Sequence, residues 1–298
     1  MLKMNDYFVV SMFGAEFGFS RVAFQIGNFS IYWYGIFLAT GFLAALIYAF
    51  RRAADFKIKT DPMIDVVLVG AIGSIVCARA YYVLTSLENY HSFKEAFSIH
   101  DGGIAIYGAI IGAFVFGGLM CKIRKINILS MFDLASIGFL IGQAVGRWGN
   151  FVNQEAFGRN TSLPWGMYSE ATNQYLSSSS VQSALISQGV TNIDPSAPVH
   201  PCFLYESIWC LIGFVLLHFL SKHTKFKGET FLQYIVWYGF GRFFIEGLRT
   251  DSLMLGNVKI SQLVAGICVI AGVAVIAIVR LKINAKNKPD IFEEAAEE

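Results

Sequence analysis

The sequence predicts an all-α membrane protein that crosses the bilayer several times. Its 298 residues are 55% apolar and 15% charged, a composition outside the ordinary range of soluble proteins. Several apolar runs also approach the roughly 20 residues that a helix needs to span a bilayer. The net charge of +2 gives no global positive field, so the composition does not indicate nucleic-acid binding.

The N-terminal segment, residues 1–28, is predicted to lie at the membrane surface rather than to cross the membrane. It is rich in aromatic residues, which favour the interface between lipid and water, but Asp6, Glu16 and Arg21 interrupt it. It lacks the basic region, apolar core and small-residue cleavage site of a secretory signal. We therefore expect the first helix to be retained.

Seven apolar segments follow, and each is predicted to be a transmembrane helix. They lie at about residues 31–50, 62–85, 104–120, 129–146, 203–220, 231–248 and 260–279. An odd number of crossings places the two chain ends on opposite sides. We predict a single transmembrane domain over residues 1–284, with residues 160–201 as an extracytoplasmic loop or cap and residues 285–298 as a disordered cytoplasmic tail.

The distribution of basic residues predicts the orientation, because cytoplasmic loops carry an excess of lysine and arginine. Fourteen of the 23 basic residues fall in four short segments that share one side of a seven-helix arrangement, at residues 51–59, 122–125, 222–227 and 280–288. This places the N-terminus outside and the C-terminus in the cytoplasm. Residues 146–159 and 249–259 then face the exterior.

A polar block follows the fourth apolar segment directly. Residues 146–159 read G-R-W-G-N-F-V-N-Q-E-A-F-G-R and hold two arginines, two asparagines, a glutamine and a carboxylate. Polar groups in hydrocarbon are costly, and those that persist usually face a bundle interior or a watery cavity. The block is therefore a candidate functional site at the outer end of a membrane helix.

Arginines recur near the outer ends of the predicted helices, at Arg79, Arg147, Arg242 and Arg249. Each could be an anchor that reaches for headgroup phosphates. Arg242 is harder to explain in this way, because Glu246 follows four residues later on the same helical face, a spacing suited to an ion pair. Tyr238, one turn earlier, could add a hydroxyl or anchor the interface. Planar guanidinium groups suit phosphate, so a phosphodiester site is a reasonable hypothesis.

Repeated glycines and the cysteines have a structural interpretation. Gly138, Gly142 and Gly146 recur every four residues, as do Gly108 and Gly112, which favours close helix packing over direct ligand contact. The five cysteines all lie in or beside apolar runs. We expect them to be small buried residues rather than parts of disulfides or a zinc site.

The sequence contains no motif for a protein-borne nucleophile or a metal-activated water. The patterns Gly-x-Ser-x-Gly, His-Glu-x-x-His and the phosphate loop are absent. His200, Tyr205 and Glu206 open the fifth apolar segment, and we interpret them as a capped, hydrated helix start. If the protein is an enzyme, the nucleophile comes with a substrate, and no metal or organic cofactor is expected.

Together these motifs resemble the prolipoprotein diacylglyceryl transferase family of bacteria, over nearly the whole chain and in the family's order. Besides the block at residues 146–159, the resemblance rests on I-Y-W-Y-G at Ile31, C-A-R-A-Y-Y-V-L at Cys77, D-G-G-I-A-I-Y-G at Asp101, H-P-C-F-L-Y-E at His200 and G-R-F-F-I-E-G-L-R at Gly241.

The resemblance implies a seven-helix enzyme of the bacterial plasma membrane, with residues 1–284 as its catalytic domain and an active site on the extracytoplasmic side. Such an enzyme moves the diacylglyceryl group of phosphatidylglycerol onto the lipobox cysteine of a preprolipoprotein. A thioether forms and glycerol 1-phosphate leaves. The partners would be the lipid, the signal peptide and the bilayer.

The resemblance also implies a set of site residues, through their positions in the motifs. Arg147, Arg242, Glu246 and Tyr107 would take part in catalysis. Substrate contacts would come from Arg147, Asn150, Glu155, Gly158, Tyr34 and Arg79, to which the spacing adds Tyr238. In this hypothesis the arginines stabilise the departing phosphate, while Glu155 and Glu246 hold the arginines in place.

Tyr107 departs from the family pattern, since many members carry a histidine there that is proposed as a catalytic base. A tyrosine has an ordinary pKa of about 10 and would act as a base at neutral pH only if that value were strongly shifted. We favour a role in orienting the lipid headgroup. Two alternatives stay open: Glu246 takes the thiol proton, or the thiol ionises without a dedicated base.

Two other classes of protein also place arginines near a membrane surface. A transporter or channel would bind an anion midway along its path, but it predicts broken helices in internally repeated halves, and the sequence shows no repeat. A lipid scaffold or scramblase would bind lipid without chemistry. Among these classes, the transferase alone would yield a lipidated peptide and free glycerol phosphate.

Overall fold

The computed structural model describes residues 7–27, 29–87, 103, 105–256 and 258–286, and the fold is mostly helical, at 69%. The tail that we expected to be disordered lies largely outside the described residues. Its first two residues, 285 and 286, continue the last helix. The described chain divides into two compact units, one formed by residues up to 47 and from 136 onward, the other by residues 48–135.

The described residues form nine α-helices. They are α1 (Trp33–Arg52), α2 (Thr60–Thr85), α3 (Ile106–Ile123), α4 (Ile128–Asn153), α5 (Glu170–Ser177), α6 (Ser179–Ser187), α7 (Cys202–Leu220), α8 (Glu229–Leu248) and α9 (Ile260–Lys286). Among these, α1, α2, α3, α4, α7 and α9 are long and apolar enough to cross a membrane. The chain is therefore that of a multi-pass membrane protein.

Helix α8, expected as the sixth span, is not among those six helices. Its 20 residues are long enough to cross a bilayer, at about 1.5 Å of rise per residue. Glu229, Arg242 and Glu246 make its composition more polar than that of the others. Both glutamates are buried, so this polarity points into the protein rather than toward its surroundings.

Helix boundaries agree with the predicted spans to within about three residues, except at the end of α9, which continues to Lys286, and at the end of α4. We placed its end at Gly146, where the apolar run stops, but the helix continues to Asn153. Backbone hydrogen bonding does not require apolar side chains, so the polar block extends the helix by about two turns. Arg147 and Asn150 therefore lie within the helix rather than in a segment that follows its end.

The N-terminal segment contains β-strands, which the all-α prediction omitted. The strands are β1 (Tyr7–Met12), β2 (Ala15–Ser20), β3 (Val22–Ile26) and β4 (Phe29–Tyr32), in two antiparallel hairpins. Phe13 and Gly14 both have positive φ, as a tight two-residue hairpin turn requires. Val10 and Met12 alternate inward while Tyr7 and Val9 are exposed, which is the two-residue period of a strand.

Residues 160–201 fold together with the N-terminal hairpin. Strand β5 (Tyr168–Ser169) pairs with β1, and α5 starts at a capping box in which Ser169 and Thr172 exchange hydrogen bonds. A hydrophobic core joins all these elements through Val10, Met12, Phe157, Met167, Leu176, Leu185, Val199 and Phe203. This folded region is thus built from two distant parts of the sequence.

The glycine repeat of α4 forms the contact with α1. Gly138 faces Ala45, Gly142 faces Gly41, and Gly146 faces Leu38. A Cβ at Gly41 would lie 3.1 Å from the carbonyl oxygen of Gly142, so the two backbones are close. This confirms the interpretation of the repeat as a helix-packing surface.

In the same unit, α7 and α8 form an antiparallel hairpin joined by residues 221–228, and α9 packs against α8. At the start of α8, Arg280 pairs with the buried Glu229 at 2.5 Å. The basic segments around residues 222–227 and 280–286 therefore meet at the same end of the hairpin.

The other unit contains α2 and α3 in close contact. Gly108 and Gly112 face α2 with little room for a Cβ, as the packing interpretation predicted. Its core includes Met63, Cys121 and Leu134. All five cysteines are free thiols. Cys121, Cys202 and Cys210 are buried as expected, whereas Cys77 and Cys268 are only partly buried.

Candidate active site

The candidate site is organised around Glu206, which lies on the second turn of α7 and is 2% exposed. Its Oε1 accepts hydrogen bonds from Arg147 Nη2 at 2.6 Å and from the Tyr238 hydroxyl at 2.8 Å. Its Oε2 accepts one from Arg242 Nη1 at 3.1 Å. Arg147 projects from α4 and the other two donors from α8, so one carboxylate joins three helices.

Arg242 bridges two buried carboxylates. While Nη1 contacts Glu206, Nη2 lies 2.6 Å from Glu246 Oε2, one helical turn further along α8. This confirms the ion pair expected from the four-residue spacing. The side chain of Glu246 is 3% exposed and that of Arg242 is 18% exposed, so the acids lie deeper than the guanidinium.

Arg147 also begins a chain of hydrogen bonds along the polar block. Its Nη1 donates to Asn150 Oδ1 at 3.1 Å, and Asn150 Nδ2 donates to Glu155 Oε1 at 2.9 Å. Asn153 donates to the same Glu155 oxygen at 3.3 Å. Glu155 therefore holds Arg147 through Asn150 rather than by direct contact.

A turn with unusual backbone angles returns Glu155 to the end of α4. Gln154 has φ 54° and Ala156 has φ 58°, the left-handed region that residues with side chains rarely adopt. Gln154 is buried, and its Nε2 donates to the Phe151 carbonyl at 2.5 Å. Because costly conformations persist where the surroundings enforce them, this turn shapes the site.

Gly158 lies where two backbones approach closely. Its N–H donates to the His200 carbonyl at 2.9 Å, and it forms an isolated β-bridge with Arg249. A Cβ at this position would lie 2.8 Å from the Cβ of His200 and 3.0 Å from the Leu248 carbonyl oxygen. A side chain at residue 158 would force apart the start of α7 and the end of α8.

The end of α8 is capped by Lys259. Its Nζ donates to the carbonyls of Glu246 at 2.8 Å and Arg249 at 2.5 Å, where a helix leaves its last carbonyls without helical partners. Arg249 in turn makes two hydrogen bonds to Asp251, at 2.9 and 2.8 Å. Lys259 thus fixes the turn that carries Glu246, and it was absent from our predicted site.

Tyr34, on the first turn of α1, belongs to the same region. Its ring lies against Gly149, where a Cβ would come within 2.6 Å of the ring, and it is close enough to Arg147 and Glu155 to interact electrostatically with both. The structure therefore brings together Tyr34, Arg147, Asn150, Glu155, Tyr238, Arg242 and Glu246 within one unit.

Arg79 and Tyr107 belong to the other unit. Arg79 is 7% exposed and donates to the Gly103 carbonyl at 2.8 Å, with its guanidinium 6.0 Å from the Tyr82 ring centroid. Its burial and this bond contradict the alternative of a snorkelling anchor. Tyr107 lies on the first turn of α3, is 52% exposed, and has its ring 6.4 Å from that of Tyr81.

Our interpretation of Glu206 as part of a hydrated helix start is wrong. The helix does begin near it, but the carboxylate is buried because guanidinium and phenol donors surround it. The signal in the sequence was an unmatched charge: Arg147 has no acid at helical spacing within its own apolar segment, whereas Arg242 has Glu246. A buried charge needs a partner, and Glu206 was an available acid.

His200 lies at the rim of this region, outside the membrane-spanning helices. Its Nδ1 is 3.1 Å from the Tyr205 hydroxyl, which also accepts a hydrogen bond from Trp165 Nε1 at 2.8 Å. Burial, together with the positive charge of Arg159, lowers the pKa of His200 below its ordinary value. This shift favours the neutral imidazole over the imidazolium.

This arrangement is suited to binding and polarising an oxyanion. An arginine carries five N–H donors, more than the hydrogen bonds that Arg147 and Arg242 make with Asn150, Glu206 and Glu246. The carboxylates of Glu206 and Glu246 hold the guanidinium groups in place through these contacts. Fixed donors stabilise developing negative charge without having to reorganise during the reaction.

Comparison with known proteins identifies a family. The family model described as "Prolipoprotein diacylglyceryl transferase" matches residues 21–278. A protein named phosphatidylglycerol–prolipoprotein diacylglyceryl transferase from Clostridioides difficile strain 630 is 38% identical over 275 residues, covering 92% of this chain and 99% of that protein. Proteins of the same name from Bacillus cereus strain G9842 and Bacillus anthracis are 41% and 42% identical, each over 90% of this chain and 94% of the relative.

Proposed function

The chain belongs to the prolipoprotein diacylglyceryl transferase family, and we propose on that premise that it transfers diacylglyceryl from phosphatidylglycerol to the lipobox cysteine of preprolipoproteins. The supporting observation in the structure is the convergence of Arg147 and Arg242 on one buried carboxylate, Glu206. Two guanidinium groups held in this way match the phosphodiester of the lipid.

The reaction is a displacement at the glycerol carbon that carries the phosphate. The substrate thiolate forms a C–S bond to that carbon as the C–O bond to phosphate breaks, and glycerol 1-phosphate leaves with the bonding electrons. Negative charge grows on the departing phosphate, so Arg147 and Arg242 contribute by stabilising it. Asn150 contacts a phosphate or glycerol oxygen.

The remaining site residues act on the arginines or on the lipid. Glu246 orients Arg242 directly, and Glu155 orients Arg147 through Asn150. Tyr238 and Glu206 complete the same network. Tyr34 and Arg79 contribute to substrate binding. Gly158 keeps the start of α7 close to the end of α8.

Tyr107 orients the lipid headgroup through its hydroxyl, and the substrate thiol loses its proton elsewhere. Histidine, which many family members carry at this position, allows a direct comparison of two substitutions at Tyr107. We expect Tyr107→Phe to slow transfer by about tenfold without changing the shape of the pH–rate profile, because a lost hydrogen bond is worth about 1–1.5 kcal/mol. We expect Tyr107→His to add an ionisation between about pH 5 and 8. A new pH dependence in Tyr107→Phe would contradict the orienting role.

The topology proposed for this function has seven spans, with α8 as the sixth in sequence, the N-terminus outside and the C-terminus in the cytoplasm of a bacterial plasma membrane. Two observations support it. The polar residues of α8 face the interior, where a spanning helix tolerates them. The basic segments near Lys225 and Arg280 lie at the end of the α7–α8 hairpin opposite to the site, as the positive-inside rule requires.

Residues 1–284 form the catalytic domain in this proposal, with residues 160–201 as an extracytoplasmic cap. The cap core contains Phe157 and Phe203, which lie in sequence beside Gly158 and near Glu206. The cap therefore braces the two chain segments that meet at the site.

The direct test incubates purified protein with phosphatidylglycerol and a lipobox peptide. We expect a lipidated peptide and free glycerol phosphate, and loss of both products in Arg147→Ala and Arg242→Ala while the variants still insert in the membrane. Transport or scrambling of lipid without a lipidated peptide would support the rival classes. Near-normal transfer by either variant would remove that arginine from the proposed chemistry.

A further inference from the structure

Two stacked tryptophans join α7 to α8 about one turn from the buried carboxylate. The ring centroids of Trp209 and Trp237 are 4.2 Å apart and the ring planes differ by 10°. The indole N–H of Trp209 donates to the Trp237 carbonyl at 2.9 Å, and that of Trp237 donates to the Trp209 carbonyl at 3.0 Å. Each tryptophan is therefore both donor and acceptor for the other.

Two glycines provide the space for this arrangement. A Cβ at Gly241 would overlap the indole of Trp209, and one at Gly213 would overlap the indole of Trp237. Each glycine follows the tryptophan of its own helix by four residues, so the contact is reciprocal. We call these four residues the tryptophan clamp.

The tryptophan clamp is adjacent to the site on both helices. Trp209 follows Glu206 by three residues, Trp237 directly precedes Tyr238, and Gly241 directly precedes Arg242. A slip of α8 by one residue would move it about 1.5 Å along α7. Such a shift exceeds the tolerance of the 2.8 and 3.1 Å hydrogen bonds that Tyr238 and Arg242 make with Glu206.

The clamp also has the chemistry to resist that slip. An indole N–H at membrane depth has no water to bond with, so breaking its bond to the facing carbonyl leaves a costly unpaired donor. Because the bonds are reciprocal, one slip would break both together. The stacked rings add aromatic contact that depends on the same register.

We propose that Trp209 and Trp237 are positioning residues that set the register of α7 against α8 and thereby aim Tyr238 and Arg242 at Glu206. The kinetic part of this inference rests on the proposed transferase function. The register itself is a property of the helix pair and can be measured without turnover.

The test compares Trp209→Phe, Trp237→Phe and the double variant as full-length protein in detergent with phosphatidylglycerol and a lipobox peptide. Phenylalanine keeps an apolar ring but removes the N–H donor. We expect each single variant to lower kcat at least about tenfold with little change in KM, since a small displacement of catalytic groups has that effect. The double variant should be no slower than the slower single variant, because the two residues act as one unit.

Spectroscopy separates the clamp from general stability. Stacked indoles give a coupled near-ultraviolet circular dichroism signal, which should disappear in both single variants and persist in Trp33→Phe, a matched control at an exposed position at the start of α1. Gly213→Ala, on the side of the clamp away from Arg242, should displace Trp237 and lower kcat in the same direction.

A wild-type kcat in either phenylalanine variant or in Gly213→Ala would overturn the inference, as would single effects that multiply in the double variant. An inactive wild-type protein that shows the coupled signal would instead refute the proposed function and leave the register intact.

Discussion

The two ends of α8 each bury a glutamate beside an arginine, yet they are built differently. At its start, Glu229 is fully buried, pairs with Arg280 at 2.5 Å, and accepts a hydrogen bond from the Lys225 N–H. At its end, Arg242 lies between Glu206 and Glu246, and Glu206 is shared with Arg147. The first is a closed pair and the second is a network.

The exposed fractions of the arginine side chains differ in the same way. Arg280 has a side chain that is 44% exposed and uses one acid, whereas the side chains of Arg147 and Arg242 are 20% and 18% exposed and depend on shared acids. Buried charge alone therefore does not indicate a site. Arginines that are sheltered, held by several partners and left with further N–H donors are what a bound anion requires.

The largest expected effect comes from replacing the arginines of the network by lysine. Lysine keeps the charge but loses the planar fork, so it cannot contact Glu206 and Asn150, or Glu206 and Glu246, at once. We expect Arg147→Lys and Arg242→Lys to lower kcat/KM by at least about 100-fold. The matched control is Arg280→Lys, which should stay within about twofold because a single charge suffices there. Equal losses of kcat/KM in Arg280→Lys and in the two site variants would contradict the distinction between a structural pair and a functional network.

A smaller effect is expected from neutralising the acids. Glu206→Gln leaves both arginines with excess positive charge and less fixed geometry, so kcat should fall by about 10- to 100-fold while KM for the anionic lipid does not rise. Glu229→Gln should leave kcat nearly unchanged and lower the Tm, because it removes the buried charge of a structural pair. Steady-state kinetics with thermal denaturation of both variants measures this difference.

A fall in kcat of about three- to tenfold is expected when the hydrogen bonds from Lys259 to the end of α8 are removed. Lys259→Met deletes the donor to the carbonyls of Glu246 and Arg249, which should loosen the last turn and lower kcat. Lys282→Met, an exposed lysine on α9, is the control and should have no effect. If the two variants behave alike, the end of α8 does not need Lys259.

The smallest effect concerns pH and His200. Its folded-state pKa lies below the unfolded value of 6.5, so its contribution to stability is complete above that pH and declines as the pH falls from 6.5 toward the folded value. Between about pH 7.5 and 5.5, we expect the Tm of the wild type to fall further than the Tm of His200→Gln, by about 2 °C or less. The control is His223→Gln, at the other end of the hairpin. A larger fall of the Tm in His200→Gln than in the wild type would contradict the direction of this pKa shift.

Much of the helical framework could be predicted from the sequence, because lipid imposes a strong constraint on length and composition. The positions of α1, α2, α3, α7 and α9 and the packing role of Gly138, Gly142 and Gly146 follow from that constraint. The extension of α4 did not follow, since its last two turns are polar. The strands of the N-terminal segment were missed because their aromatic residues also suit an interface.

Within the site, local spacing predicted contacts inside one helix and missed contacts between helices. The pair Arg242–Glu246 follows from a four-residue separation. Glu206 is distant in sequence from both arginines, so helical spacing alone could not pair it with either of them. Lys259 was missed for a different reason, since it acts on backbone carbonyls rather than on charged side chains.

The pairing of β1 with β5 has a consequence for biosynthesis. Val10 meets Ser169, and the core that covers both strands closes only with Phe203. As the chain emerges from the ribosome, its first strand can form a hairpin with β2 at once but must wait for four long helices before its second neighbour exists. This hydrophobic core is thus completed late, and truncation anywhere before residue 203 leaves the earliest segment without its apolar cover.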